Sequence, residues 1–352
     1  VISCNQLGDF LLALAFMMRI EEMPVQLEPY QDSDSARAEL VPFLMAHFQG
    51  EGSCTPQQWH QRLVFWWDEN PFACAHASRG WVLRDAGKIV GYLGVIPTFY
   101  EDPQGRPIPA LIATSWAVAP THRHAVVPMG MKIQREGVTC VLVDTTPSPE
   151  VQQLLARWGW LARREMTRRL VPRGCIGSAL AALTDTHPAP LVAGMEIITD
   201  VRRISAVHPA RPRGQLQKHI TPDYLRWYMT SPMRKHHFIG AVDQFGMVTS
   251  YLTVAPKPLR RVPTWYVKDW FTTRETDAEL QSLVGWLMKN SPAEKGHHWP
   301  LISLPTFFPD DPWHGLPFLY SREENLCHCH SLPTPLKNHP FRHVIAEGDW
   351  GL

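Results

Sequence analysis

The segment SWAVAPTHRHAVVPMGMKI, Ser115–Ile133, decides how this chain is read. A short run of alternating residues ends in Pro120, Arg123 follows three positions later, and a helix-like stretch begins near Val126. Strand, tight loop and helix in that order bring backbone N–H groups and a helix N-terminus onto an anionic ligand. Loops that cradle phosphate usually carry glycine, because only glycine lets the backbone approach so closely. This loop has none before Gly130. It is either an anion-binding loop that works without glycine or an ordinary strand-to-helix corner.

The flanking text places the loop inside an α/β layer. Downstream, VTCVLVD reads as a buried strand and SPEVQQLLARWGW as a capped helix ending near Gly159. Upstream, MPVQLEPYQDSDSARAELVPFLMAHF reads as a strand, a polar turn and a helix. A second helix follows in TPQQWHQRLVFWWDENPF, with Thr55 as N-cap and Pro56 at the first helical position. Three strands then run from Gly80 to Val118, with turns at Asp85–Gly87 and Asp102–Gly105. The order strand, helix, helix, antiparallel strands, strand, helix, strand, helix predicts an α/β fold with a mixed sheet.

The second half repeats the first. TPDYLRWYMTSP, Thr221–Pro232, aligns with TPQQW…FWWDENP and places Trp227 on Trp66, Tyr228 on Trp67 and Pro232 on Pro71. MVTSYLTVAP ends 24 residues beyond Pro232, and KIVGYLGVIP ends 26 beyond Pro71, so Tyr251, Leu252 and Val254 fall on Tyr92, Leu93 and Val95. VKDWFTT then stands where ATSWAVA stood, with Trp270 on Trp116 and Asp269 on Ser115. A shared order of landmarks at similar spacing indicates duplication.

On VAPTHR and VLVDTTPSPEVQQLLARWGW, the first copy resembles the GCN5-related N-acetyltransferase (GNAT) superfamily, with V-x-P-x-x-R closing its central strand and a Gly-aromatic pair closing its later helix. The resemblance implies two tandem GNAT-like units, each a mixed, mostly antiparallel sheet flanked by helices. The expected boundaries are an N-terminal extension at 1–22, an acyltransferase unit at 23–172, a linker at 173–196, a second unit at 197–332 and a tail at 333–352. It further implies acetyl-CoA or another acyl-CoA as co-substrate, with pyrophosphate contacts at Arg123, His124, Ala125 and Val126 and strand contacts at Trp116, Ala117 and Val118. Two departures from the family pattern stand out: Val126 and Pro128 occupy positions usually held by glycine, and Leu155 replaces a tyrosine that protonates the leaving thiolate. A coenzyme thiol is acidic enough to leave with water as proton donor. The second copy lacks the arginine-bearing loop.

Amine acylation needs a base for the ammonium proton and donors for the oxyanion. Asp144, at the end of a buried strand, is the first candidate; as an N-cap or loop-fixing carboxylate it has an equally ordinary role. His122 titrates near neutrality and is otherwise an exposed loop histidine. Ser115 lines the cleft or, by strand alternation, faces away from it. Burial is the default for Trp66, Trp67, Trp158 and Trp160 at helix positions.

Composition narrows the partners. With 34 basic and 33 acidic side chains the net charge is +1, so no global field selects nucleic acid or an anionic membrane. The expected acceptor is a small-molecule or sugar amine, with no nucleic acid and no membrane span. Seven scattered cysteines without a C-x-x-C pair favour reduced thiols in a cytoplasmic protein. In CHCH, Cys327–His330, strand alternation separates the cysteines from the histidines, so no metal site is expected. The apolar run Phe10–Met18 is too short to span a bilayer and reads as an upstream extension, with Met23 as the natural start. Two other functions fit the same text: a non-catalytic binding module of this fold, and a tandem aminoacyl-type transferase, which the low net charge disfavours.

Overall fold

In a computed structural model, residues 25–49, 54–74, 78–186, 188–209, 215–273, 277–292, 299–307, 311–313 and 316–342 are described, apart from the side chains of residues 164 and 325–327. The expected extension at 1–22 lies outside the described residues. The chain opens with β1 (Val25–Pro29), α1 (Asp34–His47) and α2 (Pro56–Trp67). Ser33 caps α1 through the Ala36 N–H. Thr55 and Gln58 form a reciprocal capping box on α2, with Pro56 at its start.

Next come β2 (Gly80–Asp85), β3 (Lys88–Glu101) and β4 (Pro107–Val118), an antiparallel meander. A 3-10 turn at Pro120–Ala125 leads into α3 (Val126–Glu136), then β5 (Val141–Asp144), α4 (Pro149–Arg157) and the long β6 (Leu161–Pro172). This is the element order expected from the sequence.

Beyond β6 lie α5 (Gly174–Leu183), inside the expected linker, and the short strands β7 (Glu196–Ile198), β8 (Ala206–Val207) and β9 (Gln217–Lys218). The second pattern then returns as α6 (Pro222–Met229), β10 (His237–Val242), β11 (Met247–Leu259), β12 (Val262–Thr272), α7 (Ala278–Lys289), β13 (Leu301–Thr306) and β14 (Tyr320–Ser331). Thr221 caps α6 as Thr55 caps α2, again with proline in the first helical positions. Among the described residues no helix is long and apolar enough to cross a membrane.

All strands belong to one sheet, in the order β1-β2-β3-β4-β5-β14-β6-β13-β12-β11-β10-β7, with β8 on β11 and β9 on β3. The path has the same form from either end: an edge strand, an antiparallel meander, a parallel neighbour (β4·β5 or β12·β13), and then the long pair β14·β6 in the middle. Hereafter unit 1 is the half from β1 to β5 with α1–α4, and unit 2 the half from β7 to β13 with α6 and α7. Each half is closed by a strand that the chain delivers from the other: β14 pairs with β5, and β6 with β13. Arg168 on β6 ties this centre together, pairing with Glu324 of β14, donating to Ser303 Oγ of β13 and standing over the Tyr266 ring of β12.

The repeated aromatic helices meet each other. The Trp227 indole of α6 donates to the Phe65 carbonyl of α2 at 2.8 Å, and the two rings stack at 4.6 Å. Trp66 and Trp67 are buried there, as helix placement predicted. One apolar core runs through both halves on this side of the sheet, and a smaller one lies under α3 and α4. On β14 the strand alternation is as expected: His328 and His330 face Phe307 and Phe341, while Cys329 joins the smaller core. Burial holds the His330 imidazole down at about 4, helped by the charge of His328.

Candidate active site

The decisive stretch begins where β4 and β5 separate. β4 pairs with β5 only from Ala110 to Ile112, opposite Val141 to Val143. Beyond that the strands part, and among the described residues 113–118 have no strand partner on the β5 side. On the other side, Tyr92 faces Ala117 and Gly94 faces Thr114, so one extra residue is accommodated in β4. Ser115 takes that distortion with φ of 52°, a left-handed conformation rare in a side-chain-bearing residue.

The loop then tightens. The His122 N–H donates to the Ala119 carbonyl and the Val126 N–H to the Arg123 carbonyl. Of the four amides expected to face a pyrophosphate, that of Val126 is therefore already bonded within the turn. Pro128 is the third residue of α3, where its missing N–H falls among the donors that lack an intrahelical partner anyway. Ala125, the N-cap, offers no side-chain acceptor, so the start of α3 lacks the hydroxyl cap found on α1, α2, α4 and α6. Arg123 and His124 are exposed beside it. Arg123 makes no hydrogen bond or ion pair with the described residues, although its charge reaches Glu150 at the head of α4. That carboxyl is held low chiefly by the Ser148 hydroxyl.

Trp116 and Trp158 lie side by side against α3, ring centroids 6.4 Å apart. They fit because residue 130 is glycine: a Cβ there would stand 2.0 Å from Trp158. The Trp116 indole N–H is buried and has no acceptor among the described residues. Trp158 is only half-buried, a departure from the expected core position that follows from its place at the end of α4. Trp160 is buried and donates to Gln134 at 2.6 Å.

The candidate catalytic residues are not brought together: no hydrogen bond joins Ser115, His122 and Asp144. Asp144 is buried one position beyond the last β4·β5 pair, and its Oδ1 accepts the Thr146 N–H at 3.2 Å. His122 is pinned away from β5, its Nε2 3.0 Å from Asp85 Oδ2 and its Nδ1 2.9 Å from Thr121 Oγ1. Ser115 is buried, 3.4 Å from the Thr114 hydroxyl. Sequence reading missed Asp85, which appeared only as a turn residue.

Unit 2 has an irregularity of the same kind in β12, one register position earlier in the strand and without a left-handed residue. Thr253 faces Asp269 and Val254 faces Val267, which leaves Lys268 as the extra residue. Here the position is filled with charge. Asp269 accepts from the Tyr251 hydroxyl at 2.7 Å and from the Trp270 N–H at 2.8 Å. Burial raises its carboxyl above the usual range, opposed by Tyr251, Arg342 and Lys218. Lys268 is 2% exposed and makes no hydrogen bond or ion pair with the described residues. Its amine is pushed down to about 7, first by burial and then by the charges of Arg234, Lys257 and Arg168. In the sequence Lys268 is marked only as half of an adjacent Lys-Asp pair in an apolar strand. Trp270 is enclosed by Phe307, Trp313 and Arg342.

Neither a family model nor a curated protein matches the sequence. Solved structures do match in fold. A GCN5-related N-acetyltransferase from Anabaena variabilis aligns over 86% of this chain and 72% of its own, at 13% identity and a TM-score of 0.55. A probable N-acyltransferase from Enterococcus faecalis, described as a conserved protein of unknown function, aligns over 87% and 71% at 10% identity, TM-score 0.56. Eis1 from Mycobacterium abscessus aligns over 86% and 72% at 14% identity, TM-score 0.51. The chain has the GNAT fold.

Proposed function

We propose that unit 1 is an acyl-CoA-dependent N-acyltransferase, with acetyl-CoA as the first co-substrate to test and a small-molecule or sugar amine as acceptor. The observation that carries this reading is the opening itself: β4 leaves β5 after Ile112, and its freed edge leads through the 3-10 turn at Pro120–Ala125 to the start of α3, which has no side-chain cap. An extended amide chain can hydrogen-bond along such an edge, and an anion is favoured at such a helix start. Trp116, Ala117 and Val118 line the edge, the Trp116 indole N–H supplying a spare donor. Arg123, His124 and the turn around Ala125 then receive the pyrophosphate. Charge from Arg123 supplies what glycine would otherwise supply by close approach. The same fold in the Anabaena and Enterococcus proteins supports the reading.

In the reaction the amine attacks the thioester carbonyl directly, a C–N bond forms, the C–S bond breaks, and the ammonium proton leaves to a base. Asp144 is the carboxylate at the mouth of the opening, and we assign it that role. His122, held by Asp85, positions the loop instead.

Calorimetric titration with acetyl-CoA tests the reading. Arg123→Ala is expected to weaken binding by about 1.5–3 kcal/mol, the range for a hydrogen bond to a charged group. Arg123→Lys recovers only part, because lysine lacks the planar fork. Equal affinity for wild type and Arg123→Ala, with both folded, rejects it. A non-catalytic binding module is favoured by one observation, the commitment of the Val126 amide to Arg123. With the coenzyme loop blocked at Val126 and Pro128, it predicts no acetyl-CoA binding and no acyl transfer to any amine.

A further inference from the structure

A second concavity lies away from both strand distortions, where β6, β11, β12, β13 and β14 come together near the β11–β12 turn. It encloses about 370 Å³, within the range of small-molecule pockets. Its walls are apolar, formed by Leu170, Leu259, Val262, Leu301 and Tyr320. Its polar lining is Arg168, Arg260, Arg322 and Glu324. Arg168 and Glu324 satisfy each other at 2.8 Å. Arg260 and Arg322 are exposed at the rim and make no hydrogen bond or ion pair with the described residues. Among the described residues, the apolar pocket therefore carries two positive charges without a hydrogen-bonded or ion-paired partner.

The turn that supplies Arg260 is conformationally unfavourable. Leu259 pairs with Val262, leaving a two-residue connection in which Arg260 has φ of 46° and Arg261 φ of 75°. Asn-Gly or Asp-Gly is the usual occupant of such a turn, because both residues must be left-handed. Arginine at both places sacrifices backbone comfort for side chains, and strain of this kind is characteristic of binding sites. The positive field also extends inward, since Arg168 and Lys257 both depress the buried Lys268 amine. Outside the pocket, Phe318 and Leu319 continue its apolar surface from Tyr320.

We propose that this pocket binds an amphipathic anion, a carboxylate carrying an alkyl or aryl tail, with the tail against Leu170, Leu259 and Leu301 and the carboxylate between Arg260 and Arg322. An apolar wall selects the tail, and two guanidinium groups without an acceptor among the described residues select the head. The inference is independent of whether unit 1 binds coenzyme.

Calorimetry on the full chain with decanoate, kept below its micellar concentration, tests it. Saturable one-to-one binding is expected, at least tenfold tighter than for decanol or decyltrimethylammonium. Arg322→Gln should weaken it at least tenfold. Arg260→Asn should do the same while raising the melting temperature, since asparagine tolerates a left-handed backbone. Loss of affinity together with a gain in stability is a result that damage to the fold does not produce. Decanoate binding no tighter than decanol, or unchanged in both folded variants, overturns the proposal. Co-sedimentation with phosphatidylglycerol vesicles in the absence of saturable decanoate binding also overturns it, assigning the arginines and Phe318–Tyr320 to a bilayer surface.

Discussion

The two halves carry a strand irregularity of the same kind in equivalent strands, one register position apart, and use it in opposite ways. In β4, Ser115 and Trp116 occupy the distortion, the strand parts from β5, and Trp116 stays half-buried with a spare indole N–H. In β12, Lys268 and Asp269 occupy it, Trp270 is sealed in by Phe307 and Trp313, and Arg342 from the tail donates to the Trp270 carbonyl at 2.6 Å. Similar strands in the two halves thus supply similar scaffolds with different side chains in the gap. What decides is which side chains then enter the gap. In β4 a serine and a half-buried indole leave an opening, whereas in β12 a Lys-Asp pair, with Phe307 and Trp313 around Trp270, fills the corresponding region as core.

Four substitutions sharpen or break that contrast. Trp270→Ala removes a fully packed indole and is expected to cost about 3–5 kcal/mol in urea unfolding. The largest threat to the comparison is an equal cost for Trp116→Ala, considered below. Lys268→Met, in the same strand, should stabilise the protein at pH 7 by on the order of 2 kcal/mol, because it removes a buried amine with no described partner. The pH dependence checks the cause. With a folded value of about 7 against 10.5 for a free lysine, the unfolded chain holds the extra proton between those limits. Wild-type stability therefore rises with pH through that window, and Lys268→Met should lose the rise. An unchanged slope would mean that Lys268 is not the group responsible.

Trp116→Ala leaves a half-open groove rather than a sealed cavity, and a cost of about 1 kcal/mol is expected. Equal losses at Trp116 and Trp270 would make both places core and remove the basis for a site in unit 1. His122→Ala gives up a part-exposed contact with Asp85, worth less than about 1 kcal/mol, and should leave acyl transfer near its wild-type rate. A thousandfold fall in rate at unchanged stability would instead make His122 the base and displace Asp144.

Much of this contrast was readable beforehand. The helices at Thr55 and Thr221 announced themselves by Thr-Pro caps, and the matched spacing of Tyr92 with Tyr251 and Trp116 with Trp270 revealed the repeat, because these are local patterns tied to helix and strand periodicity. The strand crossing was not readable. β14 meets β5 through Cys329 and Asp144, and pairing between segments so distant leaves no periodic trace in either. Asp85 and His122 likewise meet only because β2 and the loop after β4 come together in space. The Lys-Asp pair in VKDWFT was visible, but its meaning depended on a bulge that leaves Lys268 outside the strand register.

The central claim is that unit 1 holds the coenzyme and unit 2 does not. Hydrogen–deuterium exchange with saturating acetyl-CoA tests it most directly. Amides of 113–118 and of the turn and helix from 121 to 130 should slow, while those of 264–273 in β12 stay as in the free protein. Slowing confined to β12, or no slowing in either stretch despite folded protein and millimolar ligand, would contradict it.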